Sequence, residues 1–353
     1  MNPRRPLCSL LALSLLSFGA CRQGGVDGDD DTSADGQADD GDASDAPDDG
    51  DADDAGDDGD GGDGSDTSDG SDDSDGSGDP DGGPQGGLVD PIGTPGAIDI
   101  AAWNIENFPA DANTPALVAD LVTSLAIDMV AVEEIADLVA WDELVERLPD
   151  HEGILSFHEY SPGNFQKVGY LYRADLLEVD PDTLLFEDDS FQFPRPPFQV
   201  RVTVPGAAGG PVEFIAIVLH LKAGTGDDDR ERRRQAMITL EQHLRGLIDG
   251  GEQVIMLGDY NEILTSDVGR AVFGPFLDNP DLYRVRTDAL ALGGGVSFVP
   301  SGRMLDHIIT TVGLDDEIGE SEAVIPPLDD EVTGYVDRVS DHLPVAIALP
   351  ILE

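Results

Sequence analysis

The chain has 353 residues and carries 73 acidic against 19 basic side chains, which gives a formal net charge of −54. Its two cysteines are Cys8 and Cys21. The sequence after residue 21 has no cysteine, which excludes disulfide bonds, thiol catalysis and thiolate metal sites there. Folding must therefore depend on a hydrophobic core, and the acidic balance argues against a protein that binds polyanions through lysine and arginine.

The N-terminal segment has the pattern of an export signal. Two arginines precede the apolar run LCSLLALSLLSF, which is too short to cross a bilayer as a permanent helix. A pair of small residues then leads to Cys21, an arrangement that resembles the lipobox of bacterial lipoproteins. We expect residues 1–20 to be removed and Cys21 to be lipidated, which anchors an exported protein at the outer membrane or cell surface. The alternative is an ordinary signal peptide, cut nearby, and a secreted protein.

An acidic tract follows the signal. Residues 27–90 contain 26 aspartates and no glutamate, lysine or arginine, in a background of Gly, Ser, Ala, Thr and Pro. Such a segment has too little apolar surface to offset the conformational entropy lost on folding. We therefore expect residues 21–96 to be a disordered tether that leads to one domain at residues 97–353. The tract contributes −26 and the N-terminal arginines +3, so this domain keeps a charge of −31.

The first half of the domain mixes strands and helices. The stretches AIDIAAWNIENF and DMVAVEEI predict strands, and LVADLVTSLA and WDELVERL predict the helices that follow them. Four strand candidates with little helix between them come next, namely EGILSFHEY, KVGYLYR, FQVRVTV and VEFIAIVLHL.

A long helix and three further strands complete the pattern. Residues 228–249 have apolar side chains at helical spacing, and two glycines end the helix. We expect Arg230 and the run Arg232-Arg233-Arg234 on its solvated face, with contact to a polyanion as the alternative. The stretches QVIMLGDYN, RMLDHIITT and DHLPVAIALP predict the later strands. These elements predict an α/β fold in which two β-sheets pack face to face and helices cover them outside.

Polar side chains lie at one end of six of the predicted strands. They are Asn104 and Glu106, Glu133 and Glu134, His220, Asp259 and Asn261, Asp306 and His307, and Asp341 and His342. Any one of them has an ordinary structural explanation as a cap, a turn or a hydrogen-bonded core group. The whole set, with only oxygen and imidazole donors, instead favours a shared site. Oxygen ligands suit Mg²⁺ or Mn²⁺, and imidazoles beside acids transfer protons near neutral pH. Together they predict metal-assisted attack of water on a phosphate ester.

A series of motifs along residues 97–351 occurs in the order WNIENF, VAVEEI, HLK, GDYNEI, LDHI and SDHLPV. This order resembles the endonuclease/exonuclease/phosphatase superfamily, which includes pancreatic-type deoxyribonuclease. The resemblance implies a four-layer α/β sandwich of two mixed β-sheets flanked by helices. It also implies a metal-dependent phosphodiesterase with Mg²⁺, or else Mn²⁺ or Ca²⁺, as the cofactor. We expect a monomer without a stable protein partner.

The resemblance further implies a metal centre and a substrate contact. Asn104 and Glu134 would hold the divalent metal, with Glu106 and Asp341 beside it. Arg195, in the stretch RPPF, resembles the arginine with which these enzymes contact the substrate. Its alternative is a structural role before two rigid prolines.

The remaining residues would carry the chemistry. By the same resemblance, Asp259 and Asn261 orient the attacking water and the phosphate. Asp306 pairs with His342, and His220 contacts the scissile phosphate and assists the leaving oxygen.

One position departs from the pattern of the pancreatic-type enzymes. In those enzymes a glutamate orients the first histidine, and Gln166 occupies the corresponding position in this chain. A neutral amide can fix the ring of His220, but it cannot stabilise the protonated imidazole by charge.

The superfamily includes nucleases, inositol-phosphate phosphatases and sphingomyelinases, so the fold leaves the substrate open. The stretches HLKAGTGDDDRERRRQA and FVPSGRMLDHI resemble segments of secreted bacterial nucleases, which favours DNA or RNA. The charge of the domain opposes this, because nucleic-acid binding normally uses basic side chains. The alternatives are a phosphodiesterase or phosphatase that acts on lipid head groups or inositol phosphates, and a non-enzymatic surface lipoprotein.

Overall fold

The computed structural model describes residues 87–319 and 321–352. The predicted signal peptide, the lipidation site at Cys21 and most of the predicted tether lie outside these residues and stay predictions. Among the helices that the structure describes, none combines the length and the apolar character needed to cross a bilayer.

The described residues contain eleven strands and nine α-helices. The strands are β1 (Ile98–Phe108), β2 (Met129–Ile135), β3 (His151–Leu155), β4 (Lys167–Arg173), β5 (Glu178–Leu184), β6 (Phe198–Val204), β7 (Val212–His220), β8 (Val254–Asp259), β9 (Tyr283–Val285), β10 (Asp306–Thr311) and β11 (Val345–Leu349). The helices are α1 (Thr114–Leu125), α2 (Leu138–Glu146), α3 (Asp227–Asp249), α4 (Asp267–Val272), α5 (Gly274–Leu277), α6 (Asp288–Leu292), α7 (Asp315–Ile318), α8 (Leu328–Glu331) and α9 (Tyr335–Arg338).

These strands form two mixed sheets. The first sheet has the order β11-β1-β2-β4-β3, and the second has the order β5-β6-β7-β8-β10-β9. Strands β1 and β2 are parallel, as are β7 and β8, and the other neighbours are antiparallel. Each parallel pair is joined by a helix, α1 or α3, because a parallel connection must return to the same end of the sheet.

Side-chain alternation along the strands separates the layers of the core. In β1, Ile100 and Ala102 pack in the cluster between the sheets, whereas Ala101 and Trp103 pack in the cluster beneath α1 and α2. A third cluster joins α3 to the outer face of β7 and β8. The order helices, sheet, sheet, helices confirms the predicted four-layer sandwich.

Two strand predictions differ from the structure. The stretch EGILSFHEY was predicted as one strand, but β3 ends at Leu155 and residues 156–166 form a loop. The loop closes on itself through a bridge between Ser161 and Asn164, so the chain can reverse into β4. Strand β5 was not predicted; it contains Pro181 and lies at the edge of its sheet, where a missing N–H is tolerated.

Candidate active site

The strand register brings the predicted polar residues to one end of the two sheets. Asp259 at the end of β8 lies opposite His220 in the parallel neighbour β7 and opposite Asp306 in the antiparallel neighbour β10. Asn104 of β1, in the other sheet, donates from Nδ2 to Asp259 Oδ2 at 3.2 Å. The site therefore spans both sheets.

Asp259 is the centre of the site. Its Oδ2 accepts hydrogen bonds from Asn104 and from Asn261 Nδ2 at 3.1 Å, and its Oδ1 accepts one from Asn261 N at 2.7 Å. The Nε2 atoms of His220 and His342 lie 3.5 and 3.8 Å from Oδ2. Burial is the main cause of a raised Asp259 pKa, which the nearby His342 charge lowers in part. A carboxylate held this way can receive a proton from a bound water.

The residues predicted to hold metal form one network. Asn104 Nδ2 donates to Glu134 Oε1 at 3.2 Å, and its Oδ1 accepts from the backbone N–H of Glu106 at 3.0 Å. Glu106 Oε2 in turn accepts from the backbone N–H of Asp341 at 3.0 Å. Burial raises the pKa of the Glu106 carboxyl, and it raises that of Asp341 to about 6.

The backbone is strained where these residues lie. Glu106, Asn107, Glu134 and Asn261 have φ values of 37°, 42°, 62° and 51°, in the left-handed region. For residues with a Cβ atom this conformation costs about 1–2 kcal/mol each. Such strain persists only where the surrounding contacts hold it, and it is concentrated in functional sites.

His342 is held by a buried acid, as predicted. Its Nδ1 lies 2.8 Å from Asp306 Oδ2, which also accepts a hydrogen bond from Ser297 Oγ at 2.6 Å. Burial alone lowers the pKa of His342, but the negative charges of Asp306 and Asp259 outweigh burial and raise it. The imidazole is thus protonated at neutral pH and directs Nε2 towards Asp259. The Phe298 ring lies against this imidazole, with ring centroids 4.8 Å apart.

His220 has a different environment. The imidazole is buried, its Nδ1 has no hydrogen-bond partner, and burial lowers its pKa well below the usual range. Gln166 is not bonded to this ring: its Nε2 donates to Asn107 Oδ1 at 2.6 Å and to Glu134 Oε2 at 3.4 Å.

The other end of Gln166 organises the predicted substrate contact. Its Oε1 accepts hydrogen bonds from Arg195 Nη2 and Nε at 2.8 and 3.1 Å, and from the Tyr160 hydroxyl at 3.2 Å. The Gln166 amide therefore links the Arg195 guanidinium and the exposed Tyr160 ring to Glu134, a predicted metal ligand. Tyr160 lies in the loop that the sequence predicted as strand, so its position could not be foreseen.

Glu133 is a further buried acid beneath the site. It is fully buried, and both of its carboxylate oxygens lack a hydrogen-bond partner. Burial, with the charges of Asp306 and Asp259, raises its pKa well above the usual range. It occupies its place because Gly258 has no side chain there, since a Cβ atom at Gly258 would meet Glu133 Oε1 at 2.7 Å.

The arginine cluster of α3 is only partly as expected. The side chains of Arg230 and Arg234 are exposed and pair with acids of the same helix. Arg233 is buried and pairs with Glu262 instead, so a solvated position was wrong for this residue. A signal was present in the sequence, because Arg233 precedes Met237 by one helical turn and continues the apolar stripe of α3.

The donor set fits a hard divalent cation. Four carboxylates and an amide, belonging to Asn104, Glu106, Glu134, Asp259 and Asp341, surround the site, and oxygen ligands of this kind suit Mg²⁺. The raised carboxyl pKa values indicate that negative charge is costly there without a compensating cation.

A second grouping is also geometrically able to hold an ion. Ligand atoms of Asp259, Asp306 and His342 all lie within 4.8 Å of one another. Because Asp306 Oδ2 already accepts two hydrogen bonds, this group is better suited to holding the imidazole of His342 than to holding metal.

Comparison with known proteins agrees with this arrangement. The sequence matches the Endonuclease/Exonuclease/phosphatase family over residues 101–342, a range that includes every predicted catalytic, substrate-binding and metal-ligating residue from Asn104 to His342. Among the curated proteins no sequence matches the chain.

Solved structures share the fold. A Bacteroides vulgatus endonuclease/exonuclease/phosphatase has a TM-score of 0.53 at 18% identity, covering 72% of this chain and 99% of that chain. Danio rerio TDP2 complexed with a single-strand DNA product has a TM-score of 0.53 at 13% identity, covering 71% and 98%. A Bacteroides thetaiotaomicron mannosyl-6-phosphatase has a TM-score of 0.50 at 14% identity, covering 71% and 98%.

Proposed function

The chain belongs to the endonuclease/exonuclease/phosphatase family of phosphoester hydrolases, and we propose that it is an exported, Mg²⁺-dependent nuclease that cleaves phosphodiester bonds in DNA or RNA. The observation that carries the proposal is the arrangement around Asp259. One buried carboxylate contacts two amides and lies beside two imidazoles that have opposite pKa shifts. Pairs of titratable groups with pKa values driven apart are typical of acid–base sites.

The metal would be held by carboxylate and amide oxygens of Asn104, Glu134, Glu106 and Asp341. A bound Mg²⁺ supplies positive charge for the phosphate and the leaving oxygen and lowers the pKa of a bound water.

The residues of the chain divide the remaining work. Asp259 accepts a proton from the attacking water, and Asn261 fixes the orientation of that carboxylate through two hydrogen bonds. The protonated His342, held by Asp306, donates from Nε2 to a phosphate oxygen and offsets charge that develops in the transition state. His220 is neutral, so it acts as a hydrogen-bond donor to the phosphate rather than as a proton source.

Two side chains support a nucleic-acid substrate. Arg195 presents a guanidinium beside Gln166, and guanidinium groups bind phosphate by paired hydrogen bonds. Tyr160 exposes 43% of its surface next to it, and an exposed aromatic ring can stack on a nucleobase. A neighbour of the same fold, Danio rerio TDP2, is complexed with single-strand DNA.

A second candidate is a phosphatase or phosphodiesterase that acts on a small or lipid substrate, such as an inositol phosphate or sphingomyelin. The charge of −31 on residues 97–353 favours it, because a polyanion approaches such a domain against repulsion. The similarity to a mannosyl-6-phosphatase shows that this fold also serves small phosphoesters.

One assay separates the candidates. The purified protein is incubated with Mg²⁺ and, in turn, with DNA, RNA, sphingomyelin and inositol phosphates, with a chelator and the Asp259→Asn variant as controls. We expect turnover of DNA or RNA that both controls abolish. Faster turnover of inositol phosphate or sphingomyelin than of either nucleic acid would refute the nuclease proposal and support the second candidate.

We also propose that the protein is anchored through Cys21 and that the acidic tract tethers its catalytic domain. Labelling cells with a fatty-acid probe tests the anchor. Wild type should be labelled and bound to membrane, and Cys21→Ser should be unlabelled and released. Equal release of both proteins would favour secretion after an ordinary signal peptide.

A further inference from the structure

Arg233 of α3 makes an unusual number of contacts for a buried arginine. It is 2% exposed, and its Nε and Nη2 donate to Glu262 Oε2 at 3.1 and 3.0 Å. Its Nη1 donates to the backbone carbonyls of Lys222 and Gly224, both at 2.8 Å. The planar guanidinium thus uses three nitrogens to hold one side chain and two points of the backbone.

Both segments that it holds carry residues of the active site. Lys222 and Gly224 follow shortly after His220, at the end of β7, and Glu262 directly follows Asn261, after β8. A guanidinium that joins these segments therefore fixes the distance between the ends of the two strands. Asn261 Nδ2 crosses the same gap, since it donates to Leu221 O at 3.2 Å.

The held segment is strained. Asn261 has φ of 51°, a conformation that residues with a side chain adopt only when neighbouring contacts impose it. Its neighbour Glu262 is fixed at both ends, because the side chain accepts from Arg233 and the carbonyl lies 3.3 Å from His307 Nε2. His307 is itself anchored by Thr287 Oγ1, 3.0 Å from Nδ1.

We propose that Arg233, through its contacts with Glu262 and with the backbone after His220, is a positioning residue that holds Asn261 and His220 in their working geometry around Asp259. Its burial and its four hydrogen bonds leave it no role as a contact to substrate phosphate. The proposal rests on the proposed function, in which Asn261 and His220 act on the phosphate ester.

The test replaces the buried pair without leaving a buried charge. In the double variant Arg233→Met/Glu262→Leu both charged groups become apolar, an exchange that often preserves stability. The matched control is Arg234→Met/Glu231→Leu, which removes an exposed ion pair of 2.6 Å from the same helix. We expect kcat of the first double variant to fall about 10²-fold, because small displacements of catalytic groups cost rates of this order, while KM changes little. The control should keep wild-type kcat.

Two further measurements keep the result decisive. Hydrogen exchange should accelerate at residues 221–225 and 258–263 in the first double variant and not in the control. If that variant does not fold, Arg233→Lys replaces it, because lysine keeps the charge but cannot reach both carbonyls and Glu262 together. A folded variant with unchanged kcat and unchanged exchange overturns the proposal. If wild type itself hydrolyses no phosphoester, the proposed function fails, and the exchange measurement alone decides the positioning role.

Discussion

Two imidazoles lie beside the same carboxylate, and the surroundings shift their pKa values in opposite directions, so that one is protonated and the other neutral. On one side of Asp259, His342 has its Nδ1 paired with the buried Asp306, and its pKa is raised. On the other side, His220 has no partner at Nδ1, and its pKa is lowered well below the usual range. Both rings are almost fully buried, so burial alone does not separate them. The difference comes from the negative charges of Asp306, Asp259 and Asp341, which raise the His342 pKa, whereas the charges of Arg195 and His342 add to burial in lowering that of His220.

Under the proposed function, the two histidines have different tasks. A protonated imidazole stabilises negative charge that develops on the phosphate, and a neutral one donates a hydrogen bond without drawing charge. In pancreatic-type enzymes the resemblance places a glutamate behind the first histidine as well. Gln166 in this chain hydrogen-bonds to Glu134 and Arg195 instead, and burial, with the charges of Arg195 and His342, lowers the pKa of His220.

The largest effect is expected from the residue between the two rings. Asp259→Asn keeps the size of the side chain but removes the charge that receives the proton from water, and such a loss commonly costs about 10²–10⁴ in rate. The variant should fold, with a melting temperature near that of wild type, because burial of the charged carboxyl is itself unfavourable. Steady-state kinetics and a thermal melt check this. Near-normal turnover would make Asp259 a structural residue.

The next effect tests the His342 side alone. Asp306→Asn removes the main charge that raises the His342 pKa, so the imidazole loses its proton at a lower pH than in wild type. We expect kcat to fall about 10²–10³-fold, the usual cost of losing one charge-stabilising group, and to fall further as pH rises.

The control for this variant is a substitution of the other histidine, His220, whose Nδ1 has no acid as a partner. His220→Gln, which keeps a hydrogen-bond donor, should lower kcat without moving the alkaline limb of the pH profile. If Asp306→Asn leaves that limb where it is in wild type, the charge of His342 does not drive the reaction.

A smaller effect on catalysis is expected from Tyr160, whose hydroxyl donates to Gln166. Tyr160→Ala should raise KM for a single-stranded nucleic acid about tenfold, because one stacked base contributes about 1–3 kcal/mol, and kcat should change little. Phe191→Ala is the matched control, since Phe191 is 52% exposed but packs against the Arg232 guanidinium. Equal KM values for the two variants would remove Tyr160 from the substrate site.

The sequence predicted the strand ends of the site well, and the reason is geometric. His220, Asp259 and Asp306 each end or begin a buried strand, and Asn104 lies in β1 where its regular pairing with β2 is interrupted, so once the strands pair in register these side chains meet. Alternation and apolar runs carry that information locally.

Contacts made by loops could not be predicted in the same way. The conformation of residues 156–166 depends on tertiary contacts, such as the Lys167 ammonium bonded to His158 O at 3.0 Å. Tyr160 and the direction of the Gln166 amide follow from that conformation. Ser297 supports Asp306 from another loop for the same reason.

The smallest expected effect is that of salt concentration on DNA cleavage. It tests whether basic side chains on either side of Asp259 attract nucleic acid. Several basic side chains that could form a groove are already engaged: Lys167 is buried, Arg233 holds Glu262, and Arg230 and Arg234 pair with acids. A basic nuclease with 6–10 phosphate contacts loses about 10³–10⁵ in affinity between 50 and 200 mM salt. Here salt should mainly screen repulsion between an acidic domain and a polyanion beyond roughly 8–10 Å.

Cleavage of DNA at fixed Mg²⁺ should therefore stay within about twofold, or rise, as NaCl increases from low to seawater-like concentrations. Hydrolysis of zwitterionic sphingomyelin, if it occurs, should be flat, because a neutral head group experiences little of this field. Arg195 can contact a phosphate whichever substrate is hydrolysed. Its guanidinium donates to Gln166, a neutral partner, so its charge is not neutralised by an acid. A steep fall in DNA cleavage with rising salt would mean that basic side chains neutralise several phosphates at once. The face that binds the substrate would then be basic, although the domain as a whole is acidic.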